Sequence, residues 1–150
     1  MVFSQSGSSK ILFVQIPLAE GDCCGAFLFG SHAAEVRCLL TSGSCLLSGA
    51  ADGSTKLWDL EDGSLLDSKT DPQPSSILAL EQIGPLMVAT GSSSGFVTVY
   101  DVSTRTLMPV HRFFVDHGPV THLAARVLPH QLREAAAARG PRSADGGGVV

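Results

Sequence analysis

The segment from Leu46 to Leu60 recurs, in weakened form, from Leu86 to Val102. Gly53 maps to Gly95, Trp58 to Tyr100 and Asp59 to Asp101, each by a step of 42 residues. The step continues upstream, where Val36, Leu78 and Val120 share that spacing. A fixed interval of roughly 40–45 residues with strand-like contents marks a chain built from repeated sheet units. Each such unit has one face too apolar to stay wet and buries it only against a neighbouring unit. That constraint decides the architecture and turns the question of function towards binding.

The contents of each unit read as antiparallel strands. Ser54 to Leu60 and Phe96 to Val102 carry β-branched and aromatic residues bounded by Gly, Asp and Ser. Asp52-Gly53 and Ser94-Gly95 supply tight-turn chemistry between adjacent strands, since glycine tolerates positive φ. Glu61-Asp62-Gly63 then opens the next turn, and Leu65-Leu66 an outer strand. The expected fold class is all-β, made of four-stranded antiparallel meanders packed face to face.

These residues resemble the WD40 repeat. The first full unit has that family's layout, with Ser31-His32 near the start and an apolar strand from Val36 to Leu40. Leu47-Ser48-Gly49, the Asp52-Gly53 turn and Leu57-Trp58-Asp59 follow in order. The resemblance covers residues 32–70 and 77–113 as blades. It makes 10–31 the last two strands of an earlier blade, with Phe13 at the Trp position, and 116–126 the start of a further one. It implies an incomplete WD40-type β-propeller over residues 1–126. It also implies a hydrogen-bonded set inside the blade: Asp52 accepts from the imidazole of His32, His32 relays to Ser48, and Ser48 satisfies the indole N–H of Trp58.

In the second unit Thr90 and Tyr100 remain, Ser94 replaces the Asp and no His precedes Ile77, so that blade is expected to be locally less stable. His117 falls where the opening His of the next unit belongs. Partners of the family dock on the rim built from these turns. Glu35, Ala51 and Ser93 are the corresponding candidate contacts, beside the loop from Asp71 to Ser76 that Pro72 and Pro74 stiffen. Some members dock a ubiquitin-ligase adaptor through Trp-Asp, any residue, then Arg; Glu61 stands at that Arg position and disfavours the role.

Composition narrows the partners. Hydrophobic residues are 44% and charged residues only 16%, so the apolar side chains must find one another. Up to residue 125 there are 12 acidic and 6 basic side chains, whereas from Arg126 four arginines face Glu134 and Asp145. An acidic body lacks the clustered basic footprint that nucleic-acid binding needs. The four cysteines, at 23, 24, 38 and 45, do not follow a zinc spacing and read as free thiols of a reducing compartment. Ile11 to Val14 is too short to span a bilayer and has no leader pattern around it. The expected location is cytoplasmic, with the nucleus as an alternative.

Two patterns imitate chemistry. Gly91-Ser92-Ser93-Ser94-Gly95 matches the G-x-S-x-G of hydrolase nucleophile elbows, but that motif needs a helix after it and Phe96 to Val102 reads as a strand. The histidines at 111, 117, 122 and 130 lack carboxylate or thiol partners at ligand spacing. No catalytic residue, metal, cofactor or small-molecule substrate is therefore expected.

At 42 residues per unit, 150 residues hold at most ~3.6 blades, fewer than the roughly four to eight that close a propeller. The resulting expectation is a truncated or alternatively spliced piece of a larger WD40-repeat protein. Residues 127–150, rich in Arg, Ala, Gly and Pro, are expected to be a low-complexity tail, disordered or with a short helix from Pro129, and foreign to the ancestral fold. The function expected is a non-enzymatic protein–protein interaction scaffold. The rivals are a serine hydrolase using Ser93, and a regulatory fragment that competes with a full-length relative for partners.

Overall fold

The computed structural model describes residues 2–3, 7–15 and 25–126. Within them lie the strands β1 (Val2–Phe3), β2 (Lys10–Gln15), β3 (Gly25–Ser31), β4 (Val36–Ser42), β5 (Cys45–Ala50) and β6 (Ser54–Asp59). They continue as β7 (Leu65–Thr70), β8 (Ile77–Gly84), β9 (Met87–Ser92), β10 (Phe96–Asp101) and β11 (Met108–Phe114). All pairings are antiparallel between strands adjacent in sequence, giving sheets ordered β1-β2-β3, β4-β5-β6-β7 and β8-β9-β10-β11. The all-β class and the four-stranded blades expected from the sequence are what the chain adopts. Gly53 and Gly95 take φ of 81° and 85° in equivalent β5–β6 and β9–β10 turns, a conformation that glycine adopts without steric cost.

Strand periodicity explains how three sheets share their apolar residues. Neighbouring residues on a strand point to opposite faces, so Leu46 and Leu47, or Leu57 and Trp58, serve different interfaces. Ile11, Val36, Leu46 and Trp58 form one buried cluster, between the first sheet and the second. Cys45, Leu47 and Leu57 join Val88, Tyr100, Val102 and Leu107 in another, between the second and the third. Every residue of β5 is buried because the sheet holding it is covered on both sides, whereas every residue of β11 is exposed. Each fully buried Leu, Ile or Val contributes roughly 1.5–3 kcal/mol, so these two interfaces carry most of the stability.

Close approach between sheets depends on missing side chains. A Cβ at Gly49 would lie 2.5 Å from Cγ2 of Ile77, and one at Gly91 would lie 2.6 Å from Cγ1 of Val120. Likewise the Trp58 ring covers Gly30, where a Cβ would meet Cζ3 at 2.5 Å. The second strands of the second and third sheets thus receive the first apolar residue of the next unit on a bare glycine.

The register corrects two expectations. Val36 pairs with Ala50 and Ile77 with Ser92, so Ile77 and not Leu78 is the counterpart of Val36. The missing step is recovered at a second bulge between Gln82 and Gly84, where Ile83 is the additional residue. In the first sheet the bulge between Ile11 and Leu12 matches those between Leu57 and Trp58 and between Val99 and Tyr100, which puts Leu12 and not Phe13 at the position of Trp58. That sheet also holds three strands among the described residues, where two were expected. Residues 115–126 carry no strand, although Val120 donates its N–H to the carbonyl of Ser92 at 2.9 Å. The tail from residue 127 lies outside the described residues.

Candidate interaction surface

The second sheet is tied internally by one directed chain of hydrogen bonds. Trp58 Nε1 donates to Ser48 Oγ at 2.8 Å, and Ser48 Oγ stands 2.6 Å from His32 Nε2. His32 Nδ1 is 2.7 Å from Ser54 Oγ, which donates to Asp52 Oδ1 at 2.5 Å. The donor directions follow from the ends. A carboxylate only accepts, so Ser54 gives its hydroxyl proton to Asp52 and must accept from Nδ1–H. Burial, reinforced by the positive charge of Lys56 and only partly offset by Asp52, lowers the His32 pKa to about 4. The imidazole is therefore neutral near pH 7, its Nε2 accepts, and Ser48 is the donor. This corrects the expected direct contact: Asp52 reaches His32 only through Ser54. Burial raises the Asp52 carboxyl, but the Ser54 hydroxyl and amide and the charge of His32 outweigh it and hold the group below its usual pKa.

A Ser, a His and an Asp in one chain imitate a hydrolytic triad. Ser48, however, is fully buried and already accepts the indole N–H, so no substrate carbonyl reaches it. In the third sheet Thr90 Oγ1 makes a long 3.4 Å bond to the Thr98 carbonyl, and Ser92 and Ser94 bond each other at 3.0 Å. Tyr100 is buried, and burial raises its phenol pKa. His117 is exposed and meets Phe114 edge-on at 5.0 Å, so it does not take the place of His32.

The three candidate contacts occupy one rim. Ala51 N–H donates to Glu35 O at 2.8 Å and Ser93 N–H to Ser76 O at 2.9 Å, which makes Ala51 and Ser93 equivalent positions in successive blades. Each is partly committed within the chain. Glu35 accepts from Gly7 N–H at 2.7 Å and pairs with Arg37 at 3.0 Å. The Ala51 carbonyl accepts from Ser76 Oγ at 3.0 Å, and Ser93 Oγ accepts from Ser76 N–H at 2.9 Å. Around them Ala33, Asp52, Pro72, Gln73, Pro74 and Pro119 are exposed. Asp71 anchors the proline loop, accepting from Gln73 N–H at 2.9 Å and from Arg112 at 2.8 Å.

Sequence reasoning missed the polar bonds between blades. Arg105 pairs with Asp59, Arg112 with Asp71, and Asp67 accepts from Leu107 N–H at 2.8 Å. Arg105 adopts φ 58°, unusual for a residue with a Cβ, at the turn that delivers its guanidinium. These pairs lie 46, 41 and 40 residues apart, close to the repeat interval, and that interval was the available signal.

Ser93 sits in a hairpin turn followed by the strand β10, which contradicts the strand-to-helix setting of a nucleophile elbow. Among the described residues no group of three or more His, Cys, Asp or Glu is placed to hold a metal ion. Among them, too, no helix is long and apolar enough to cross a membrane.

Successive four-stranded meanders stacked face to face, each tied by its own second- and third-strand residues, define the class. The fold is that of WD40-repeat domains. The WD40 repeats of RRP9 match with a TM-score of 0.67 at 23% identity, over 81% of this chain and 39% of that one. The C-terminal WD40 domain of Sif2 matches with a TM-score of 0.58 at 17% identity, over 75% of this chain and 36% of that one. In sequence the chain is similar to Mitochondrial division protein 1 of Neosartorya fischeri, 31% identical over 124 residues and 67% of this chain. The chain spans 18% of the length of that relative. No family model matches it.

Proposed function

We propose that this chain is a non-enzymatic interaction module that presents loop residues to other proteins from a stiff β scaffold. The observation that carries the reading is the rim: backbone bonds join Glu35 to Ala51 and Ser76 to Ser93, the Ser76 hydroxyl donates across to the Ala51 carbonyl, and exposed Pro72, Gln73 and Pro74 project beside them. Loops on a rigid frame are where binding residues concentrate. The residues with catalytic-type chemistry point the other way, into the blade. Free Cys45 and Cys38, the latter with its thiol pKa pushed up to about 12 by burial, support a reducing compartment, the cytoplasm or nucleus. One relative's name refers to mitochondrial division. At 18% of that protein's length the similarity supports the scaffold role here and leaves the process to experiment.

The test is neighbour labelling in cells with the wild-type chain and with Ala51→Arg/Gln73→Arg, whose side chains leave the backbone bonds intact. Loss of specific neighbours at unchanged far-UV dichroism is the expected result. An identical neighbour set for both proteins would remove the rim from consideration. A fluorophosphonate probe is expected to leave Ser93 unlabelled, and labelling there would reinstate the hydrolase.

A further inference from the structure

The end of the blades opposite the rim carries a surface of different character. Alternate turns of an antiparallel meander share an end, so the β4–β5 and β6–β7 turns lie together, as do β8–β9 and β10–β11. Arg105 in the β10–β11 turn pairs with Asp59 at the end of β6, which brings the two sets side by side. Register then gives each residue there its counterpart in the other sheet. Thr41, Ser42 and Cys45 hold the places of Gln82, Gly84 and Met87, so Gly43 and Ser44 correspond to Pro85 and Leu86, and Ile83 is an insertion. Trp58 pairs with Leu65 and Tyr100 with Pro109, which makes Ser64 the counterpart of Met108.

Where the second sheet has glycine and serine, the third therefore has proline, leucine and methionine, with an added isoleucine. Packing does not require the exchange. Gly43, Ser44 and Ser64 are exposed although their sheet is covered on both sides, so the corresponding places reach solvent whatever lies against the third sheet. There Leu86 is 53% exposed, Met108 55% and Ile83 44%. Asp101 pairs with Met87 on one side and Met108 on the other, and Val102 N–H donates to the Leu86 carbonyl at 2.9 Å. The apolar group thus spans the ends of three neighbouring strands, and grouped exposure of this kind marks interaction sites. The bulge that inserts Ile83 belongs to a class of irregularity that re-aims side chains beside such sites. In and next to these turns Asp59, Glu61, Asp62 and Asp101 are acidic and Arg105 alone is basic, and Arg105 is paired with Asp59.

We propose that this end binds a basic segment of another protein, its apolar side chains on Ile83, Pro85, Leu86 and Met108 and its lysines or arginines towards Glu61 and Asp62. Charge decides between a protein and a membrane. Isoleucine, leucine and methionine would enter a lipid surface, but the carboxylates beside them repel anionic headgroups, whereas a cationic segment is attracted. The surface lies at the far end from the rim and does not depend on the rim reading.

The probes are an amphipathic leucine–lysine peptide, its leucine–glutamate analogue, and vesicles of phosphatidylserine and phosphatidylcholine, each titrated into the isotope-labelled full chain. The leucine–lysine peptide is expected to shift the amides of residues 61–62, 83–84, 86 and 108 and to bind more weakly as salt rises. The glutamate analogue and the vesicles are expected to leave those amides unmoved. Leu86→Ser/Met108→Ser installs the second sheet's own residues and is expected to lower peptide affinity at least about tenfold while β5 amides keep their protection. Glu61→Gln/Asp62→Asn is expected to weaken binding and flatten its salt dependence, and Ala51→Arg/Gln73→Arg to leave it unaltered. No binding of the leucine–lysine peptide, equal binding of both peptides, shifts centred on the rim, preference for vesicles, or indifference to Leu86→Ser/Met108→Ser would each overturn the proposal.

Discussion

Ser54 is the residue on which the blade's internal wiring turns. It converts the exposed carboxylate of Asp52 into an acceptor that a buried imidazole can use, at the cost of one hydroxyl. Ser54→Ala strands the His32 Nδ1–H inside the protein and is expected to lower unfolding free energy by about 1–3 kcal/mol in urea titrations. Asp52→Asn keeps an oxygen acceptor at the same place and is expected to cost less. The neutral state of His32 has a pH signature. Its pKa is 6.5 when unfolded and about 4 when folded, so the unfolded chain binds the proton first as pH falls. The contribution is present in full above pH 6.5 and is lost down to about pH 4, amounting to roughly 3 kcal/mol. His32→Gln is expected to flatten stability across that window, and a variant with unchanged pH dependence would remove His32 as its source.

At the scale of elements, the contact between sheets is a glycine under an apolar side chain. Gly49→Ala overlaps Ile77 and is expected to destabilise by about 1–3 kcal/mol. Ile77→Ala removes the nearest atom, Cγ2, but leaves Cys38 Sγ at 2.7 Å and the Cβ of residue 77 at 2.9 Å, so the double variant is expected to recover part of the loss and to be somewhat more stable than the sum of the two changes allows. The third sheet lacks the imidazole link, and amides of β10 are expected to exchange before those of β6. Much of this was legible in the chain. The 42-residue step, the Asp-Gly turn and the Trp58–Tyr100 correspondence identify blades because period-two strands and glycine turns are local signals. The counterpart of Val36 was misassigned to Leu78 because a bulge inserts Ile83 without any change in hydrophobic pattern. Phe13 stands one residue beyond the true counterpart of Trp58, because the bulge that fixes Leu12 there leaves no mark on the sequence pattern. Ser54 escaped notice because its role depends on reach across 22 residues, and Arg105 because its partner Asp59 lies in the previous blade.

For the molecule as a whole, the glycines at 49 and 91 govern how one sheet follows the last. With hydrogen in place of a side chain beneath Ile77 and Val120, the following unit comes close to the second strand at that point. Neighbouring sheets therefore meet along the side where β4 and β5 contact β8. Filling either hydrogen with a methyl group would push the following sheet away on that side and change the direction in which it continues.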